Sequence, residues 1–233
     1  MSAPTSSNPS SPSLPHLFII GDSISIQDGP FLEKLCPGTF IFDRKQDDAG
    51  SPKATSNLDV PTGANGGDSD MVLAYLRHRR AHNPIAADLV VLNCGLHDIK
   101  TDIKTGAIQV PLARYQSNLR AIIDGVAAMK LRLVWVRTTP VFDEIHNTRS
   151  TAFHRFARDV DACNTAADAI MAETGVPVID LHGFSMPFLP AGFKDHVHST
   201  PAIQQQQAAF IFQQLQLITA LPPRAPLSAT RSL

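Results

Sequence analysis

The chain has 233 residues, 43% of them apolar, with 20 basic against 21 acidic side chains. That is enough apolar material for one large core or two small ones, and it argues against disorder over most of the length. The near-zero charge balance supplies no basic field and no charged tail, so nucleic acid and other polyanions are not expected as partners.

Residues 1–15, rich in Ser and Pro, carry neither a basic n-region nor an apolar h-region, so they are expected to be a flexible lead-in rather than a signal peptide, with a cytoplasmic location as the corollary. Short apolar runs then alternate with longer segments of helical period. "LFII" at 17–20 and "TFIF" at 39–42 predict two strands, and a helix over 68–80 places Met71, Val72, Tyr75 and Leu76 at helical spacing. "DLVVLN" at 88–93 predicts the third strand, and a helix over 111–129 puts Leu112, Tyr115, Leu119, Ile122 and Val126 on one stripe. "LRLVWV" at 131–136 follows, then a long helix over 150–174 ending at Gly175, "VPVID" at 176–180, and a last helix over 201–219. The Pro-rich residues 221–233 are expected to fray. This order predicts one three-layer α/β domain over 16–220, built on five parallel strands covered on both faces. No run of about 18 apolar residues occurs, so no membrane span is expected. Cys36, Cys94 and Cys163 are too few and too scattered for a disulfide framework and read as reduced thiols.

In such folds ligands sit beyond the carboxyl ends of the strands. Gly21-Asp22-Ser23 follows the first apolar run, Cys94-Gly95-Leu96-His97-Asp98 the third, Arg137-Thr138-Thr139-Pro140 the fourth and Leu181-His182 the fifth. Near the far end of the chain, Asp195 and His198 stand three residues apart, a spacing that lets a carboxylate fix an imidazole tautomer and leave its other nitrogen facing a serine. Asn65-Gly66-Gly67-Asp68, ahead of the second predicted helix, offers backbone N–H groups that glycine leaves open to close approach.

Taken in order, "GDS", the Gly-Asp turn, "GxxD" and "DxxH" resemble the SGNH (GDSL-type) hydrolase family over nearly the whole chain. The resemblance implies a flavodoxin-like sheet of order 2-1-3-4-5 and a serine esterase, lipase or deacetylase. Ser23 would be the nucleophile, His198 the base and Asp195 its partner, with Ser23 and Gly67 N–H groups in the oxyanion hole. No cofactor and no metal is implied. The third block departs from the family pattern: Gly95-Leu96-His97-Asp98 carries His97 where an oxyanion-donating Asn is usual. His97 is expected to inherit that role, donating one N–H as a neutral imidazole or two as an imidazolium.

The expected substrate is a small-acyl ester of a carbohydrate or a short-chain alcohol; the oligomeric state is left open. The same residues would permit acyl transfer, and a non-catalytic carbohydrate- or acyl-binding module is the alternative of a different class. Simpler roles stand beside these. Ser23 could only cap a helix, Cys94 could be a rival nucleophile or a buried filler, and Asp180 and His182 could line the cleft. Asn164 reads as helix surface or a cap, Phe184 to Phe188 as a pocket wall or sheet packing, and His78 with His82 as a solvated helix end.

Overall fold

A computed structural model describes residues 13–46, 58, 60–195 and 197–220. The expected lead-in, apart from its last three positions, and the expected tail lie outside these residues. The five apolar runs form strands β1 (His16–Ile20), β2 (Ile41–Arg44), β3 (Leu89–Leu92), β4 (Arg132–Val136) and β5 (Val178–Ile179). All pair in parallel in the order β2-β1-β3-β4-β5, the flavodoxin-like arrangement expected. Every residue of β3 is buried, because helices cover both faces of a central parallel strand. Strand β2 starts two residues later than "TFIF" suggests. The N–H groups of Thr39 and Phe40 turn back onto the Cys36 carbonyl, at 2.9 and 2.8 Å, and cannot enter the ladder.

Among the described residues the helices are α1 (Ser23–Leu35), α2 (Ser69–His82), α3 (Leu112–Ala128), α4 (Asp143–Arg149), α5 (Ala157–Thr174), α6 (Leu181–Ser185) and α7 (Pro201–Ala220), with a 3-10 turn at Met186–Phe188. Packing contacts run between α1 and α7 in one layer, and from α2 to α3 to α5 in the other. The intervening core holds Leu17, Ile20, Leu92, Trp135, Tyr115 and Met171, all less than 2% exposed.

Helix α1, which the sequence reading did not include, forms despite Gly29 and Pro30, started by the Asp22 cap and held by burial of Ile24 and Leu32. The helix expected over 150–174 starts seven residues late: α5 begins only at Ala157, and a separate short helix, α4, ends before it at Arg149. Between them His154 exchanges two backbone hydrogen bonds with Thr101, each 2.8 Å, so tertiary pairing overrides helical period there. Helix α5 does end at Gly175, whose φ of 72° makes the left-handed cap. Among the described residues, no helix is long and apolar enough to cross a membrane.

Candidate active site

The carboxyl edge of the sheet gathers the polar turns. At the end of β1 the Asp22 side chain accepts the Ile24 N–H at 2.9 Å and caps α1, so the capping role belongs to Asp22 and not to Ser23. Ser23 is the first helical residue. An amide at that position has no intrahelical acceptor, which leaves its N–H available to a ligand.

Asp195 builds the other side. Its Oδ1 accepts the N–H groups of Val197 and His198, at 2.9 and 2.8 Å, which winds the turn that carries His198. Its Oδ2 lies 2.8 Å from His198 Nδ1, and His198 Nε2 lies 2.9 Å from Ser23 Oγ. Burial alone would raise the Asp195 carboxyl, but hydrogen bonds from the His198 ring and from the two backbone N–H groups outweigh it and hold Asp195 well below the usual carboxylate range. The anion therefore accepts a hydrogen bond from Nδ1–H, and Nε2 is left as acceptor for the serine hydroxyl. Ser23 and His198 are only 4% and 5% exposed.

The Gly-Asp turn is pinned from β2. Lys45 Nζ donates to the carbonyls of Gly63 and Asn65, Arg44 donates to the carbonyls of Ser25 (3.0 Å) and Ala64 (3.3 Å), and Gly66 N–H reaches the Gly21 carbonyl at 2.8 Å. Gly67 has φ +72°, and a Cβ there would lie 2.9 Å from Pro61 Cβ and 2.5 Å from Met71 Sδ, so only glycine fits. Its N–H, expected to face an oxyanion, is instead bonded to Asn65 Oδ1 at 2.9 Å. The Asn side chain two residues back closes a local turn on that donor, a competition that spacing alone does not reveal.

In the third block, Asp98 Oδ1 accepts the Ser69 N–H at 2.9 Å and ties the block to the start of α2. Burial pushes this carboxyl up to about 7, against hydrogen bonds from Ser69. His97 is 3% exposed. Burial first, then the charges of Lys100, Arg155 and His198, push its imidazole down to about 2, which removes the doubly donating imidazolium from consideration. Gly95 has φ +151°, and a Cβ there would collide with Thr138 Oγ1, itself bonded to the Cys94 carbonyl at 3.0 Å. Gly95→Ala should lower stability by about 2 kcal/mol or more through strain and collision together. The midpoint of denaturant unfolding at constant slope measures it, and an unchanged midpoint would mean that Thr138 turns aside freely.

Several neighbours have structural roles. Cys94 is fully buried and burial pushes its thiol far up, which removes it as a nucleophile. Asn164 is buried rather than on the helix surface: its amide exchanges two 2.9 Å bonds with the backbone of Thr138, tying α5 to the end of β4. His182 joins that cluster through Nδ1, 2.9 Å from the Thr138 carbonyl, while Asp180 caps α6 and pairs with Arg137 at 2.7 Å. Phe184 stacks on Phe210 of α7 at 4.4 Å and meets Phe188 at 5.5 Å, packing against the layer rather than walling a pocket. His78 and His82 are exposed on the last turns of α2.

Arg44, Lys45 and Arg155 were not legible as site residues. Arg155 lies inside the segment expected to be helical, and basic residues at a strand end carry no pattern that separates them from solvated charge.

The model of the GDSL-like lipase/acylhydrolase family matches residues 19–206. The chain belongs to that family. Its members are acylhydrolases, so this is a hydrolase acting on ester bonds. Among solved structures, the lipase/acylhydrolase from Enterococcus faecalis superposes with a TM-score of 0.65 at 15% identity, over 91% of this chain and 100% of that one. An acetyl xylan esterase gives 0.59 at 14% identity, over 86% and 99%. The C-terminal catalytic domain of Streptococcus pneumoniae peptidoglycan O-acetyltransferase A, solved with a methylsulfonyl adduct, gives 0.57 at 14%, over 91% and 98%. At such identities these likenesses speak to fold alone. Among curated proteins none matches.

Proposed function

We propose that this family member is a serine esterase that removes a small acyl group, such as acetyl, from a carbohydrate or short-chain alcohol. The observation that carries the reading is the unbroken line from Asp195 Oδ2 through His198 to Ser23 Oγ, with links of 2.8 and 2.9 Å. Ser23 Oγ attacks the acyl carbon while His198 Nε2 takes its proton, and Asp195 stabilises the imidazolium that results. The carbonyl oxygen becomes an oxyanion beside the Ser23 N–H and one N–H of neutral His97. Gly67, whose N–H is taken by Asn65, keeps a loop-shaping role. The tetrahedral species collapses as His198 protonates the leaving alkoxide, and water activated by the same ring then cleaves the acyl-enzyme. Each of these steps is carried by side chains or backbone of this chain.

The small acyl group is favoured by the low exposure of Ser23 and His198 and by the activities named for two structural neighbours, an acetyl xylan esterase and a peptidoglycan O-acetyltransferase. The second name also favours a variant in which a sugar hydroxyl replaces water in the last step. A chromogenic acetyl ester tests the main reading, and sugar acceptors added during turnover divert product only if transfer occurs. Failure both to hydrolyse the ester and to label Ser23 with a fluorophosphonate would leave the binding module.

His97→Ala should lower kcat by about 10²–10³-fold, the usual loss for one oxyanion donor, whereas His97→Asn should retain most of the rate. An alanine variant with unchanged kcat would remove His97 from the oxyanion hole.

A further inference from the structure

The guanidinium of Arg155 is 1% exposed, one of the largest fully buried side chains, and the chemistry above does not use it. Taking such a group out of water is costly unless its donors are met, and its Nε donates to the Leu96 carbonyl at 2.7 Å, the residue before His97. Its own backbone N–H is held by Asn147 Oδ1 at 3.0 Å, and the ring of Phe153 lies 4.7 Å from the guanidinium carbon. The same ring receives Lys100 Nζ at 4.6 Å, and His154 is joined to Thr101 by its paired backbone bonds. Residues 153–155 thus form a strap laid against the turn that carries Gly95 to Thr101.

We propose that Arg155 is a positioning residue of this hydrolase, fixing the Gly95-Leu96-His97-Asp98 turn against Ser23 through its bond to the Leu96 carbonyl. The inference rests on the esterase reading and adds to it a residue outside the family motifs. A planar guanidinium with a fixed fork suits the task, because a carbonyl held along one N–H direction cannot swing while the ring beside it stacks. The charge has a second consequence at the same place. Burial first, then Lys100, Arg155 and His198, oppose protonation of His97; burial raises the carboxyl of Asp22, which caps the nucleophile helix, and the charges of Arg155 and His198 act against that rise.

The test is a double-mutant cycle on turnover of a chromogenic acetyl ester, with Arg155→Met, His97→Ala and the pair. Arg155→Met should lower kcat by about 100-fold, as a displacement near 1 Å at a reacting centre does, with KM changed by no more than about threefold. Arg155→Lys keeps the charge but not the fork and should recover roughly tenfold of that loss. In the His97→Ala background Arg155→Met should cost less than about threefold, because the group it positions is gone. A full 100-fold loss in that background, or an unimpaired Arg155→Met, overturns the proposal. Should Arg155→Met fail to give folded protein by circular dichroism, the cycle is run with Arg155→Lys, whose loss of about tenfold should fall below about threefold in the His97→Ala background and overturns the proposal if it persists there in full. Ser23→Ala is assayed alongside. Activity surviving in Ser23→Ala sinks the catalytic reading itself, whereas a dead Ser23→Ala with additive Arg155 and His97 effects sinks only the role of Arg155.

Discussion

Ser23→Ala is expected to lower kcat for an acetyl ester by about 10⁴-fold or more. The loss should leave the fold intact, because the cap of α1 is the Asp22 carboxylate on Ile24 N–H and the serine side chain takes no part in it. His198 Nε2, 2.9 Å from Ser23 Oγ, then has no hydroxyl proton to accept. His198→Ala should cost about as much, since an unactivated hydroxyl is a poor nucleophile at neutral pH. The pair together should cost little more than either alone, because the two groups act as one unit. Intact-protein mass spectrometry after fluorophosphonate treatment gives an independent reading: one adduct on the wild type and none on Ser23→Ala. Turnover that survives in the alanine variant, or an adduct on another residue, would move the nucleophile elsewhere.

Much of the fold was legible because its cause is local. Leu17 to Ile20, Leu89 to Leu92 and Leu133 to Val136 are apolar on consecutive positions, which only a doubly covered strand tolerates, and they are buried as that implies. The parallel order then follows from alternation with helices, and Ser23, His97 and His198 all fall at one edge because each sits on or just after a turn there. What stayed hidden depends on contacts distant in sequence. The break between α4 and α5 exists because Thr101 supplies hydrogen bonds to His154, some fifty residues away, and helical period cannot report that partner.

The same cause hid Arg155 and the capture of the Gly67 N–H by Asn65. A guanidinium in a run such as "FHRFAR" reads as solvated until the Leu96 carbonyl is seen against it. An Asn two residues ahead of a glycine reads as an ordinary turn former until its Oδ1 is placed on that N–H. Both are side-chain to backbone bonds, which follow from the trace of the loop and not from residue type. At these turns, then, the motif picks out the segments, and the loop trace decides which of their backbone donors are available.

Asp195→Asn should cost about 10⁴-fold in kcat near neutral pH, although the amide matches the carboxylate in size and its oxygen still accepts the N–H groups of Val197 and His198. The cost arises on the other atom. An amide N–H₂ facing His198 Nδ1 makes that nitrogen the acceptor and sends the ring proton to Nε2, the nitrogen that has to take the proton of Ser23. The stability effect has a defined pH window. The Asp195 carboxyl is depressed in the folded state, chiefly by His198 and the two backbone N–H groups acting against burial. Its stabilisation is therefore fully present above the unfolded value of about 3.9 and is lost as pH falls through the lower folded value. The gap in unfolding midpoint between wild type and Asp195→Asn should be constant from neutral pH down to about pH 5 and close below about pH 4. Over the same neutral range Asp195 stays ionised, so it contributes no step to the pH dependence of kcat/KM. If the Asn variant turned over at the wild-type rate, the 2.8 Å contact with Nδ1 would be one that winds the turn and leaves the tautomer to another group.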